Sequence, residues 1–214
     1  MIVGDERRAL RLTPLVTYGL IALNVLVFLL ELSGGEPFII EWSFVPARFL
    51  ANPEVQFITI FTAMFMHANE LHILGNMLYL WIFGDNVEDR FGHAKFLAFY
   101  LACGVLATFA QLFFNPNSQI PNLGASGAIS GVLGAYLVLF PQGRVFISGG
   151  RGVIPVPALA AIGIWFLLQV FGGLGSIGAA DTGGVAFMAH IGGFVAGFVL
   201  TYLFGGRRTV QFQR

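Results

Sequence analysis

Residues 96–143 read FLAFYLACGVLATFAQLFFNPNSQIPNLGASGAISGVLGAYLVLFPQG, without one charged side chain between Lys95 and Arg144. A bilayer core about 30 Å thick is crossed by about 20 apolar residues of helix, so this run is long enough for two crossings. Asn115-Pro116-Asn117-Ser118 and Pro121-Asn122 break it in the middle, where such residues mark a turn. The run therefore reads as two membrane helices, and the whole chain has a matching composition. Of 214 residues, 57% are hydrophobic and 10% are charged, against about 45–50% and about 25% in an ordinary soluble domain.

Working outward, the other charge-free runs complete a set of six expected spans, at about 12–31, 71–86, 95–114, 123–140, 154–171 and 183–204, in one domain over 1–214. The expected fold is an all-α membrane protein, a six-helix transmembrane bundle. Phe57–Met66 is apolar enough to imitate a further span, and the positive charges argue against one. With six spans and a cytoplasmic N-terminus, every Lys and Arg except Arg48 faces the cytoplasm. Residues 31–70 then form one long external loop, partly embedded, with an amphipathic stretch at Trp42–Leu50, and both termini are cytoplasmic.

Net charge is zero, which gives no electrostatic case for a nucleic-acid partner. Cys103 is the only cysteine and sits in an apolar run, which excludes an internal disulfide and a Cys-rich metal site and reads as packing. Met1–Arg8 has no apolar region followed by a small-residue cleavage site, so the first span is expected to stay in the mature protein. The tail after Arg207 leaves room for a longer parent protein.

In this topology the second, fourth and sixth helices enter the membrane from the outer face, so their first turns share one depth. Those turns carry His72 and Asn76, Ser126, and His190. An ionisable residue inside a span usually faces a bundle interior or a water-filled cavity, and His72 and Asn76, four apart, project from one helical face. Each residue alone has a plain use: a histidine bonded to a neighbouring helix, a serine as cap or small contact residue, an asparagine as interhelical glue. Together they supply a nucleophile, a base and two donors at one level, which acyl transfer requires. Gly127, Gly131 and Ala135 on the fourth helix and Ala189, Gly193 and Gly197 on the sixth form small-xxx-small faces. Such faces let two backbones approach closely, as packing alone also asks.

Gly124-Ala125-Ser126-Gly127, Ala189-His190-Ile191-Gly192-Gly193 and His72-Ile73-Leu74-Gly75-Asn76 resemble the GxSG, AHxxG and HxxxN elements of the rhomboid intramembrane proteases. Phe61–His67 and Gly84–Gly92 resemble the segments on either side of the family's second helix, the latter as a cytoplasmic turn. The three motifs stand in the family's order on the second, fourth and sixth of six spans, and the likeness runs over nearly the whole chain.

The resemblance implies a serine endopeptidase with Ser126 as nucleophile and His190 as base and then acid. The oxyanion is met by the Ser126 N–H and the side chains of His72 and Asn76. His93 lies on the other side of the membrane from His67, His72 and His190, and no carboxylate joins those three at ligand spacing, so no metal and no cofactor are expected. The implied substrate is a transmembrane segment of a single-pass protein, cut near the outer face after a small residue, in the lipid of a plasma (inner) membrane. The chain departs from the family at two places. Many members carry a Trp-Arg pair in the first loop, whereas here the stretch before Phe61 reads Gln56-Phe57-Ile58-Thr59-Ile60, and Ser130 stands where some carry a Tyr that stacks on the histidine. Ser130 is a rival nucleophile one turn deeper, and Ser126 is preferred because it has the motif's preceding glycine.

The second span, about two-thirds of the usual length before Asp85, suggests a cavity open to the outer face. Gly172–Gly184 is a candidate mobile cap, and Trp165 and Phe166 are either a gate or a lipid-facing pair. Asp181 precedes His190 by too little chain to be favoured as its orienting acid. His67 is placed to line the cavity, and His93 reads as a solvated residue of a cytoplasmic turn. Two rival functions stay open: an inactive relative that binds membrane helices, which normally lacks the serine or histidine, and a small transporter or channel, which usually shows internal repeats absent here.

Overall fold

The computed structural model describes residues 1–6, 10–149, 152–176 and 184–205. In chain order the elements are β1 (Ile2–Asp5), α1 (Leu15–Trp42), α2 (Pro46–Ala51), α3 (Pro53–Gln56), α4 (Thr59–Thr62) with a 3-10 turn at Ala63–Phe65, and α5 (Glu70–Phe91). Then come α6 (His93–Phe114), α7 (Ser126–Leu139), β2 (Arg144–Gly149), β3 (Gly152–Pro157), α8 (Ala158–Ser176) and α9 (Phe187–Leu203). The protein is a mostly helical, multi-pass membrane protein with several apolar spans and a small sheet. By length and composition α1, α6 and residues 158–175 of α8 can each cross a membrane, while α7 and α9 are shorter apolar helices. Pro53–Phe65 passes the same test only when joined to α5 across a bend of 76°.

Hydrogen bonds fix which ends lie together. At one end, β1 pairs with β2 and β2 with β3, all antiparallel. The Glu88 carboxylate at the far end of α5 accepts from the N–H groups of Val16 and Thr17 at 2.9 and 2.7 Å. Asp89 accepts from the N–H groups of Arg11 and Leu12. These acids sit at the N-terminus of α1, where exposed N–H groups and the helix dipole favour anions. At the other end, Phe44 and Asn122 exchange backbone bonds and the Thr62 hydroxyl donates to the Trp42 carbonyl. The starts of α5, α7 and α9 all lie at this second end.

Several particulars differ from the sequence reading. Residues 154–157, expected to open the fifth span, form β3, and α8 begins only after Pro157. β3 is an edge strand in the order β1-β2-β3, the place in a sheet that tolerates Pro155 and Pro157 without their N–H groups. The helix bearing His72 does not stop near Asp85 but runs through Gly84–Phe91, because Glu88 finds backbone donors at the start of α1 and Asp89 finds them in the residues just before it, and it ends at Gly92 with φ 78°. The stretch expected to be a turn is thus its last two turns. His93, expected to be solvated, opens α6 and pairs with Glu88, Nδ1 to Oε1 at 2.6 Å. The stretch Trp42–Leu50, expected to be amphipathic, is divided between two helices: α1 ends at Trp42, Phe44 is fully buried, and α2 starts at Pro46. Helix α1 itself runs past residue 31 and bends at Gly35, whose φ of 62° a side chain would resist.

At the centre, Gly127–Tyr136 of α7 is buried throughout, and α7 meets α9 backbone to backbone. A Cβ on Gly193 would collide with the Gly127 carbonyl, and one on Gly197 with the Gly131 carbonyl. Cys103 of α6 packs on Gly131 from the other side and is a buried free thiol.

Candidate active site

Ser126 is the first residue of α7, so its N–H lies outside the intrahelical ladder, at the positive end of the helix dipole. Its Oγ lies 2.8 Å from His190 Nε2 on α9. The glycine seam sets that distance, because the two helix axes could not come together with larger residues between them. His190 Nδ1 in turn lies 2.8 Å from Gln169 Oε1 on α8. Trp165, one turn earlier on α8, faces the same imidazole with ring centroids 6.0 Å apart.

The two donor candidates of the sequence reading, His72 and Asn76, lie on α5. Asn69 caps that helix by accepting from the His72 N–H at 2.9 Å. His72 Nδ1 accepts from the Ala68 N–H at 3.3 Å, which leaves the proton on Nε2. Gly124, at φ 131°, lies between His72 and Ser126: a Cβ there would stand 2.9 Å from His72 Cε1, 3.0 Å from Nε2 and 3.4 Å from Ser126 Oγ. The absent side chain leaves a cleft bordered by both. Asn76 is buried, and its Nδ2 has no hydrogen-bond partner among the described residues. A buried amide donor without a partner is costly, which marks the position as one suited to a visiting acceptor. Beside Ser126 a small cavity is lined by Met64, Gly104, Ala107, Gly124, Gly127 and Ala189.

A Rhomboid domain model matches residues 54–207, which takes in all of these residues. The chain belongs to the rhomboid family. It is 32% identical over 190 residues to the Rhomboid protease GluP of Bacillus subtilis (strain 168), covering 86% of this chain and 34% of that protein. It is 28% identical over 188 residues to Rhomboid protein 1, mitochondrial, of Saccharomyces cerevisiae, covering 85% and 51%. With the human Presenilin-associated rhomboid-like protein, mitochondrial, the identity is 30% over 197 residues, covering 86% and 47%. This rhomboid therefore spans about a third to a half of the length of these relatives.

The motif residues His72, Asn76, Ser126 and His190 share one end of the bundle, and the rival serine does not face the cleft. Ser130 in this rhomboid is buried and donates to the Ser126 carbonyl at 2.6 Å within α7. Trp165 and Phe166 turn inward, Phe166 stacking on Phe194 at 4.3 Å. His67 is buried against His72, ring centroids 5.1 Å apart. Gly172–Ser176 of the expected cap belong to α8, while residues 177–183, with Asp181, lie outside the described residues. So do Arg7, Arg8, Arg151, Arg207, Arg208 and Arg214.

Two polar residues escaped the sequence reading. Glu31, taken as the edge of the external loop, is buried in α1, and both its oxygens accept from the His67 N–H at 3.0 and 3.1 Å. Gln169 is the one amide in the span expected at 154–171, and a polar side chain inside a span is itself the signal that could have singled it out. Arg48, outside the position of the missing Trp-Arg pair, donates to the carbonyls of Ile40 and Ser43 and so ties α2 to the end of α1.

Proposed function

We propose that this rhomboid is an intramembrane serine endopeptidase that cleaves transmembrane segments of single-pass membrane proteins with a Ser126–His190 dyad. The observation that carries this reading is the 2.8 Å contact between Ser126 Oγ and His190 Nε2 at the edge of the Gly124 cleft. His190 takes the Ser126 proton as Oγ attacks the scissile carbonyl and returns it to the leaving amine. The resulting oxyanion lies between the Ser126 N–H, His72 Nε2 and Asn76 Nδ2, the last an amide that otherwise has no partner among the described residues. The small cavity beside Ser126 suits a small side chain before the scissile bond.

The proposed topology has six spans with both termini in the cytoplasm of a plasma membrane. It puts the sheet on the cytoplasmic side and the dyad near the outer face. Family membership supports membrane-protein substrates in general, and the likeness to a bacterial relative supports the location.

The test is cleavage of a generic single-span substrate by the purified chain, with Ser126→Ala, His190→Ala and Ser130→Ala compared at matched folding. Loss in the first two with survival of the third is the expected result. A wild type that neither cleaves nor labels with a fluorophosphonate overturns the reading.

A further inference from the structure

We propose that Gln169 is a positioning residue for His190, holding the imidazole in the tautomer and orientation that proton transfer from Ser126 needs; this rests on the protease reading above. Gln169 Oε1 lies 2.8 Å from His190 Nδ1, and the amide's Nε2 donates to the Trp165 carbonyl at 3.4 Å. With its N–H turned to Trp165, the amide presents Oε1 to the imidazole. An amide oxygen only accepts, so Nδ1 carries the proton and the Nε2 lone pair faces Ser126 Oγ.

Once His190 has taken the serine proton, both ring nitrogens are donors, and the Nδ1–H bond to Gln169 becomes charge-assisted and stronger. Gln169 thus favours the protonated state that accompanies the tetrahedral intermediate. Trp165 and Gln169 are four residues apart and share one face of α8, holding the ring by its face and its edge. A carboxylate in this place would be a charge inside a membrane protein, which is costly. A neutral amide orients the base without that cost.

Among the described residues, the groups facing His190 are known from each packed helix. On α5, His72 stands across Gly124 from Ser126, and Ser126 comes from α7. On α6, Gln111 accepts from the Ala189 N–H at 3.2 Å and so engages backbone. The α8 side supplies Gln169 and Trp165, neither of which titrates.

The experiment is steady-state cleavage of the single-span substrate by the full chain, wild type against Gln169→Leu and Gln169→Glu, with Ser126→Ala as the blank. Gln169→Leu keeps the side chain's bulk and removes the acceptor. It is expected to lower kcat about ten- to a hundredfold at unchanged KM, part of the 10²–10⁴ that a positioned base supplies. Gln169→Glu keeps an acceptor and is expected to retain kcat, with the acid limb of kcat/KM moved to higher pH because a carboxylate stabilises the imidazolium. A packing role alone moves neither limb nor kcat in this pattern. Wild-type kcat in the Leu variant, or an unmoved limb in the Glu variant, overturns the proposal while leaving the protease reading intact. Should the Leu variant fail to fold by thermal melt, the Glu limb decides alone. A wild type that neither cleaves nor labels removes both.

Discussion

Gly193 on α9 faces the carbonyl oxygen of Gly127 on α7 so closely that no Cβ fits between them, and Gly197 stands in the same relation to Gly131. An added methyl must push the two backbones apart. Overpacking typically costs about 1–3 kcal/mol, so Gly193→Ala and Gly197→Ala are expected to lower the melting temperature of the purified protein and to reduce cleavage more than stability accounts for. Gly163 on α8 is the control: nothing lies within 4 Å of its Cβ position. Gly163→Ala is expected to stabilise by about 0.5–1 kcal/mol through helix propensity. Equal melts for the three variants would show that the seam is loose.

The proposed oxyanion donors and the second serine separate by kinetics. Asn76→Ala and His72→Ala are each expected to lower kcat about 10²–10³-fold, the usual effect of one oxyanion donor. Ser130→Ala, which loses only the bond to the Ser126 carbonyl, is expected to keep activity within severalfold and stability within about 1 kcal/mol. A Ser130 variant as inactive as Ser126→Ala would reverse the assignment of the nucleophile.

Gly124 tests the cleft itself. Its φ of 131° and the 2.9 Å approach to His72 Cε1 leave no room for a methyl. Gly124→Ala is expected to add about 1–3 kcal/mol of backbone strain and to displace His72, slowing fluorophosphonate labelling of Ser126 on the order of 10²-fold. Unchanged labelling would place the reactive cleft elsewhere.

Glu31 gives a prediction about stability. Its carboxylate is the acceptor for the buried His67 N–H, so Glu31→Leu leaves that donor unsatisfied at a cost of about 1–3 kcal/mol. Glu31→Gln retains an acceptor and should lose less. Thermal unfolding of the two variants in one detergent checks the order, and a Leu variant at least as stable as the Gln variant would contradict it.

The residues quoted from the motifs could be read because each stands within the first turns of an apolar run, where helix direction alone places them at one depth. The small-residue faces could be read because a spacing of four aligns residues on a helix, and α7 and α9 do meet along them. The sheet could not. β2 and β3 are each six residues long and lie between two spans, β3 carries two prolines, and β2 pairs with β1 from the start of the sequence, so the sheet left no local pattern. Glu88, Asp89 and Glu31 misled for one shared reason. A charge reads as the edge of a span, whereas here backbone donors from a neighbouring segment receive each carboxylate. Gln169 belongs to no motif, and only the arrival of α8 beside His190 gives it a partner.

The bend at Gly35 leaves α1 as two rods, the second of which ends at Trp42 and is held there by Arg48 and Thr62. The segment 43–69 is thereby moored to its own preceding helix as well as to the Asn122 loop. Helix α8 is the least buried of the three long apolar helices. Under the proposed function, selection of one substrate over another can change on segment 43–69 and on α8 without touching the spacing of Ser126 and His190.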